Sequence, residues 1–128
     1  MRQPGFTLLE MIVVLAILGL ATALVAPTAL RGIDSWRRQA AMDVLLDQIR
    51  GLPGAARAGG EPIVVSEESL RSDAPPLRIG DDWTLRVDEP WRVAGNGVCD
   101  DGKVVVAGSY GERLVLVEAP FCDVSVQP

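Results

Sequence analysis

The chain has 128 residues, 48% of them hydrophobic, and a formal net charge of −5. This length accommodates one modest domain together with an anchor segment. Proteins that bind nucleic acid through phosphate contacts usually carry a basic surface, so the acidic balance makes nucleic acid an unfavourable partner. The chain contains no histidine, which removes the most common general base and the most common metal ligand.

Residues 6–26 form an apolar run in which Glu10 is the single charged side chain. As a helix, these 21 residues would span about 32 Å at about 1.5 Å each, against a hydrocarbon core of about 30 Å. Backbone groups in lipid must be satisfied internally, so a spanning segment must be helical. We therefore expect a transmembrane helix segment over residues 6–27.

Two cleavage sites are compatible with this N-terminus. In an ordinary secretory signal the small residues recognised by the peptidase follow the apolar core, and residues 25–29 offer a loose Ala-x-Ala-like site there. A small residue, Gly5, also stands directly before the run. Cleavage after Gly5 would create a new ammonium group on Phe6.

Glu10 is the unusual residue of the apolar run. A carboxylate near the end of a membrane helix is costly unless it reaches the headgroups or finds a cation. Snorkelling is one explanation, because Glu10 lies near the start of the helix. The other is an ion pair, but an ammonium on Phe6 of the same rigid helix is poorly placed for it. A neighbouring subunit staggered along an assembly could supply that ammonium and so set the register between helices.

The N-terminus resembles the leader of type IV pilins and type II secretion pseudopilins, through Gly5-Phe6-Thr7-Leu8-Leu9-Glu10 and the apolar run behind them. The resemblance implies that residues 1–5 are a leader peptide. It implies cleavage between Gly5 and Phe6 by prepilin peptidase, and N-methylation of Phe6 by the same enzyme. It also implies that Glu10 contacts the N-terminus of an adjacent subunit and that Pro27 kinks the helix.

The same resemblance implies a topology and a set of partners. The expected topology is single-pass in the bacterial inner membrane, with the N-terminus cytoplasmic and the C-terminal domain periplasmic. Counting positive charges would favour the opposite orientation, because Arg2 lies on one side of the run and Arg31, Arg37 and Arg38 lie on the other. The implied partners are major and minor pseudopilins, prepilin peptidase and an inner-membrane assembly platform. No cofactor is expected.

Residues 28–58 are predicted to form an amphipathic helix and a connection. Apolar residues recur there at steps of three and four, namely Ile33, Trp36, Ala40, Val44, Leu45, Ile49 and Leu52. We expect one helix from about residue 6 to 51, with a loop break at Pro27 as the alternative. Residues 51–54 predict the helix end, and a further helical turn follows at 55–58. Trp36 is expected at the helix–sheet interface or near the membrane surface.

Residues 59–128 are predicted to form a periplasmic, β-rich domain. The expected strands are 62–66, 77–79, 83–88 with 91–93 as its continuation, 103–107, 113–118 and 121–126, and residues 67–76 form a loop. Residues 108–111 predict a hairpin connection. Trp83, Leu85 and Val87 alternate on one face, so Trp83 is expected in the core. A long helix followed by short strands indicates an α+β fold, in which the helix packs on a small antiparallel sheet.

The two cysteines, Cys99 and Cys122, would pair in an oxidising compartment, and otherwise they are buried free thiols. A disulfide would close a loop of 24 residues and contribute about 3.5 kcal/mol on the chain-entropy estimate.

Residues 55–65 resemble the end of the helix and the first strand of the H-type minor pseudopilin. Gly51 and Pro53 depart from that pattern, because family helices usually run on through this point. The expected function is that of a structural minor subunit of the type II secretion pseudopilus, which exports folded proteins across the outer membrane. The alternatives are a minor type IV pilin for pilus assembly or DNA uptake, and an unrelated membrane-tethered periplasmic module.

Enzymatic and metal-binding roles are not expected. No serine stands in a Gly-x-Ser-x-Gly elbow, and Lys103 is the one lysine available to activate a nucleophile. The acidic pairs at residues 81–82 and 100–101 could attract calcium, but no D-x-D-x-D-G loop is present. Asp101 followed by glycine fits a tight turn equally well.

Overall fold

The computed structural model describes residues 3–128, so Met1 and Arg2 of the predicted leader lie outside the described residues. The chain forms two units, one ending at Gln39 and the other spanning Ala40–Pro128. Helix α1 covers Leu8–Gly59. The other elements are, in chain order, β1 (Ile63–Val65), α2 (Glu67–Leu70), β2 (Trp83–Arg86), β3 (Trp91–Val93), β4 (Gly102–Gly108), β5 (Gly111–Glu118) and β6 (Asp123–Gln127). This is the α+β architecture that the element order predicts, and it is the pilin-like arrangement that the leader resemblance implies.

The first unit is helical from Leu8 onward, and none of its described side chains is buried. The helix passes through Pro27, so the alternative of a loop break at that residue is wrong. An interior proline loses one hydrogen bond of the ladder and crowds the carbonyl four residues before it, but the good helix formers on both sides keep the helix continuous. The kink predicted at Pro27 stays a prediction.

The second unit packs the C-terminal half of α1 and the strands around one core. The helix contributes its buried face, made of Met42, Leu45, Ile49, Leu52, Pro53 and Ala56. The predicted apolar face is therefore correct for Leu45, Ile49 and Leu52. Its earlier members are exposed, and Trp36 is 83% exposed in the chain, so its predicted place in a helix–sheet interface is wrong.

The main sheet is antiparallel, with the strand order β2-β4-β5-β6. Alternation decides what each strand buries: Val104 and Val106 of β4 face the core, as do Val115 and Val117 of β5. The predicted hairpin at residues 108–111 is confirmed, because Gly108 pairs with Gly111 across a two-residue turn. Gly111 has a φ of 110°, a conformation that favours glycine.

A second, two-stranded sheet pairs β1 with β3. The prediction that residues 91–93 continue the strand at 83–88 is therefore wrong, because the chain leaves the main sheet after Arg86. Val87 still lies in the core, 2% exposed, and Trp83 and Leu85 pack against that core. The prediction that these three side chains share a buried face is confirmed.

The predicted helix end at residues 51–54 is wrong, because α1 runs through Pro53 to Gly59. Both Leu52 and Ala56 are buried, so tertiary packing outweighs the local preference of glycine and proline for ending a helix. The helix ends where Gly60 takes a φ of 67° and its N–H donates to the carbonyl oxygen of Ala56 at 2.9 Å.

Three smaller predictions differ from the structure. The first part of the predicted loop at 67–76 forms α2, which begins with a capping box between Ser66 and Ser69. No strand forms at 77–79, because both backbone polar groups of Arg78 bond to the side chain of Gln48, at 2.7 and 2.8 Å. The last strand begins at Asp123 rather than at residue 121, because the preceding Cys122 has a φ of 58°, which no strand residue adopts.

Candidate functional site

The predicted cleavage site, the peptide bond between Gly5 and Phe6, lies in non-helical backbone just before α1 begins at Leu8. The Phe6 side chain is 75% exposed, and no residue beyond the two chain neighbours of Gly5 lies within 4 Å of the position that a Cβ on Gly5 would occupy. The peptide bond between Gly5 and Phe6 is therefore not covered by other parts of the described chain. The cleavage itself stays a prediction.

The start of α1 is capped by Thr7, a residue to which the sequence argument assigned no role. The N–H of Glu10 donates to Thr7 Oγ1 at 3.2 Å, and the N–H of Met11 donates to the Thr7 carbonyl oxygen at 3.2 Å. The spacing Thr-x-x-Glu is that of a capping box, a signal present in the sequence. Thr7 thus caps the helix that begins at Leu8, and it directly follows Phe6, the predicted new N-terminus.

Glu10 lies in the first turn of α1 and is exposed. Within residues 3–128, no cation lies within ion-pair distance of its carboxylate. The first turn of a helix carries a partial positive charge that favours a carboxylate there, which offsets part of the cost of placing Glu10 in an apolar run. Its predicted pairing with the N-terminus of a neighbouring subunit needs a second chain and stays a prediction.

The segment behind Glu10 meets the chemical requirements of a membrane anchor. Helix α1 is long and apolar enough to cross a bilayer, and none of its most apolar stretch is buried against the rest of the protein. The hydroxyl of Thr22 donates to the carbonyl oxygens of Leu18 and Gly19 at 3.0 and 2.9 Å. Thr28 donates likewise to Val25 at 2.7 Å. These polar groups are satisfied within the helix, as an apolar solvent demands.

The predicted disulfide between Cys99 and Cys122 is present, with a Cα–Cα distance of 5.4 Å. Both residues are at most 1% exposed. The N–H of Cys99 also donates to the carbonyl oxygen of Pro120 at 2.9 Å, and Val93 of β3 bridges to Cys99. The bond therefore joins the segment before β6 to the edge of the small sheet.

The acidic pair Asp100–Asp101, weighed above as a calcium site, has other partners. Asp100 lies 3.8 Å from the guanidinium of Arg92, and Asp101 Oδ1 accepts from the N–H of Ala119 at 2.8 Å. Over the described part of the chain, no three histidine, cysteine, aspartate or glutamate side chains are grouped as metal ligands would be. Asp101 therefore anchors a turn.

Comparison with known protein families gives a match at the N-terminus. The family model "Prokaryotic N-terminal methylation motif" matches residues 1–26. No curated protein and no solved structure matches the chain. The matched segment contains Gly5, Phe6 and Glu10 and the whole apolar run. Together, the motif and the apolar helix support a type IV pilin-like or pseudopilin protein with a membrane anchor, and they imply processing by a prepilin peptidase and assembly with other pilin-like subunits.

Proposed function

We propose that this protein is a structural minor pseudopilin of a type II secretion system, and that it is not an enzyme. The observation that carries the proposal is the methylation motif over residues 1–26, whose apolar stretch lies in an unburied helix. The H-type resemblance of residues 55–65 adds support. Helix α1 also runs through Gly51 and Pro53, which is what that resemblance implies for this part of the chain.

The proposed role is assembly in three steps. The apolar helix holds the subunit in the inner membrane, with its C-terminal domain in the periplasm. Prepilin peptidase removes residues 1–5 and methylates the new N-terminus on Phe6. The subunit then leaves the membrane for a periplasmic filament, driven by the assembly platform, and the apolar helices of several subunits bury one another.

Glu10 has the central part in this assembly. In the filament core its carboxylate would meet the Phe6 ammonium of the adjacent subunit. Two charges in an apolar environment are tolerated when they pair, whereas a single unpaired charge is costly. Adjacent helices are therefore held at the stagger that brings these two groups together. Thr7 supports the arrangement, because it caps the helix turn that carries Glu10.

The test of processing is mass spectrometry of the mature protein from its native membrane. The expected N-terminus is a methylated Phe6. An intact Met1, or a cut near Ala26, would reject the proposal. The test of register is Glu10→Ala at native expression, with Glu61→Ala as a matched control on an exposed acid of the second unit. Incorporation into the filament and secretion should fall for Glu10→Ala alone, while the Cys99–Cys122 disulfide still forms.

The alternative, a minor type IV pilin, would carry the same leader. The phenotype of a strain that lacks the gene distinguishes the two functions. Loss of the gene should stop the export of folded proteins, and piliation and DNA uptake should continue. The net charge of −5 favours this outcome over DNA binding. A gel shift with the full chain in detergent at physiological salt supplies the direct check, because clear retardation of DNA would favour the pilin alternative.

A further inference from the structure

A groove of about 650 Å³ lies along β4 and β5 of the main sheet. Its floor is formed by Val105, Leu114 and Leu116, which are half-buried. Cross-strand pairing places Val105 opposite Leu114 and Lys103 opposite Leu116, so these four side chains share one face. The intervening residues, such as Val115, are buried in the core, so the groove occupies the opposite face of the sheet.

The rim of this groove is acidic. The charged residues that line it are Asp88, Glu89, Asp101, Glu118 and Lys103. Asp88 is paired with Arg86 outside the groove, at 3.0 Å. Three carboxylates and the one ammonium then remain, a net charge of −2. Within residues 3–128, no cation lies within 4 Å of the carboxylates of Glu89 and Glu118. The surface therefore favours an occupant that is both apolar and cationic.

The chain itself carries a segment with these properties, residues 30–38 of α1. It contains Arg31, Arg37 and Arg38 against Asp34, a net charge of +2. It also exposes large apolar side chains: Ile33 is 50% exposed and Trp36 is 83% exposed. Its nine residues extend about 13 Å as a helix. Exposed tryptophan beside arginine is the composition typical of the centre of a protein interface.

We propose that the groove on β4 and β5 binds residues 30–38 of a second copy of this chain. The groove and the segment carry opposite net charge, and Ile33 and Trp36 cover the apolar floor. Hot-spot tryptophan and arginine side chains supply the affinity, and the rim charges orient the segment. The contact goes beyond the proposed function, since it joins two copies whichever system the filament serves.

The test uses the full chain in lipid vesicles, in two differently tagged forms that are mixed. One copy carries the photo-cross-linker benzoylphenylalanine in place of Trp36. Irradiation should give a cross-linked dimer, and mass spectrometry should map the attachment to residues 103–118 of the other copy. A cross-link that maps elsewhere, or the absence of a dimer, would overturn the proposal. In native membranes, transfer of the probe to a different protein in place of the second copy would also overturn it.

Charge reversal supplies the specific control. Glu89→Arg with Glu118→Arg in the groove copy should lower the cross-linked dimer by at least about fivefold, since each reversal removes an exposed ion pair and adds repulsion. Arg31→Glu with Arg37→Glu in the probe copy should lower it equally. Combining the two reversed copies should restore the dimer, and Glu61→Arg should leave it unchanged.

An intact Cys99–Cys122 disulfide, checked by thiol labelling, shows that a groove variant has folded. If the groove variants do not fold, the segment variants on the exposed helix carry the test alone. If charge reversal on the segment then leaves the yield of cross-linked dimer unchanged, the proposal is overturned. Because the readout is a contact between purified copies, its failure is distinguishable from a failure of the secretion function.

Discussion

Replacing Gly102 with alanine tests how the domain packs, because this glycine lies directly against a buried tryptophan. A Cβ built on Gly102 would stand 2.4 Å from Cγ of Trp91 and 2.5 Å from its Cδ2. The Trp91 ring is 3% exposed, and within residues 3–128 its Nε1 has no hydrogen-bond partner. Packing alone therefore holds the ring in place. The backbone of Gly102 does not require glycine, since its φ is not in the left-handed range.

The expected cost follows from these distances. Carbon atoms pack at about 3.5–4.0 Å, so the ring must retreat by about 1 Å into a filled core. Overpacking of this kind lowers the free energy of unfolding by about 1–3 kcal/mol. Alanine raises it by about 0.4–1 kcal/mol, because it has a smaller conformational entropy than glycine in the unfolded chain. Gly102→Ala should therefore lower the free energy of unfolding by about 1–2 kcal/mol, and Tm by about 5–10 °C.

The assay is denaturant unfolding of the full chain in detergent, followed by near-ultraviolet circular dichroism of the tryptophans. Gly54→Ala is the matched control, because apart from its chain neighbours and the surrounding backbone of helix α1 no atom lies within 4 Å of its Cβ position. That variant should be stabilised by about 0.5–1 kcal/mol. In a Trp91→Leu background the penalty of Gly102→Ala should disappear. A penalty that persists there, or a stable Gly102→Ala variant, would refute the packing argument.

Three further predictions concern features that the structure brings out. Replacing both Cys99 and Cys122 with serine should lower the free energy of unfolding by about 3.5 kcal/mol, and adding a reductant should then have no further effect. Gln48→Ala should speed amide hydrogen exchange at Arg78 and cost about 1–2 kcal/mol, while Gln48→Glu should recover only the bond to the N–H. Thr7→Ala should speed amide hydrogen exchange in the first turn of α1 by about fivefold, equivalent to about 1 kcal/mol, while Thr7→Ser should preserve the cap. Unchanged exchange in Thr7→Ala would show that Thr7 does not cap the helix.

The N-terminal helix was predictable because its signal is local and repeated. A single apolar segment must be helical in lipid, because only a helix satisfies its backbone hydrogen bonds internally, and no tertiary contact is needed for this. The main strands were predictable for a similar reason, since alternation at residues 103–107 and 113–118 matches the period of a half-buried strand. The capping role of Thr7 was also predictable, because its spacing to Glu10 is that of a capping box.

Other features depend on residues far apart in sequence. Pro53 stays helical because Leu52 and Ala56 are buried in the core, a gain that no local pattern records. Arg78 bonds to a glutamine thirty residues earlier, so a strand-like apolar stretch needs no partner strand.

Local sequence patterns are enough to indicate an anchored α+β protein with a prepilin-type leader, because apolar length, alternation and the residues around Gly5 act within a few positions of one another. Three features depend instead on tertiary contacts: residues 91–93 leave the main sheet, Trp91 lies against Gly102, and an acidic groove lies along β4 and β5. Strand partners and the face that each strand presents are chosen by competition among distant segments for one core, and that competition leaves no mark on any short stretch of sequence.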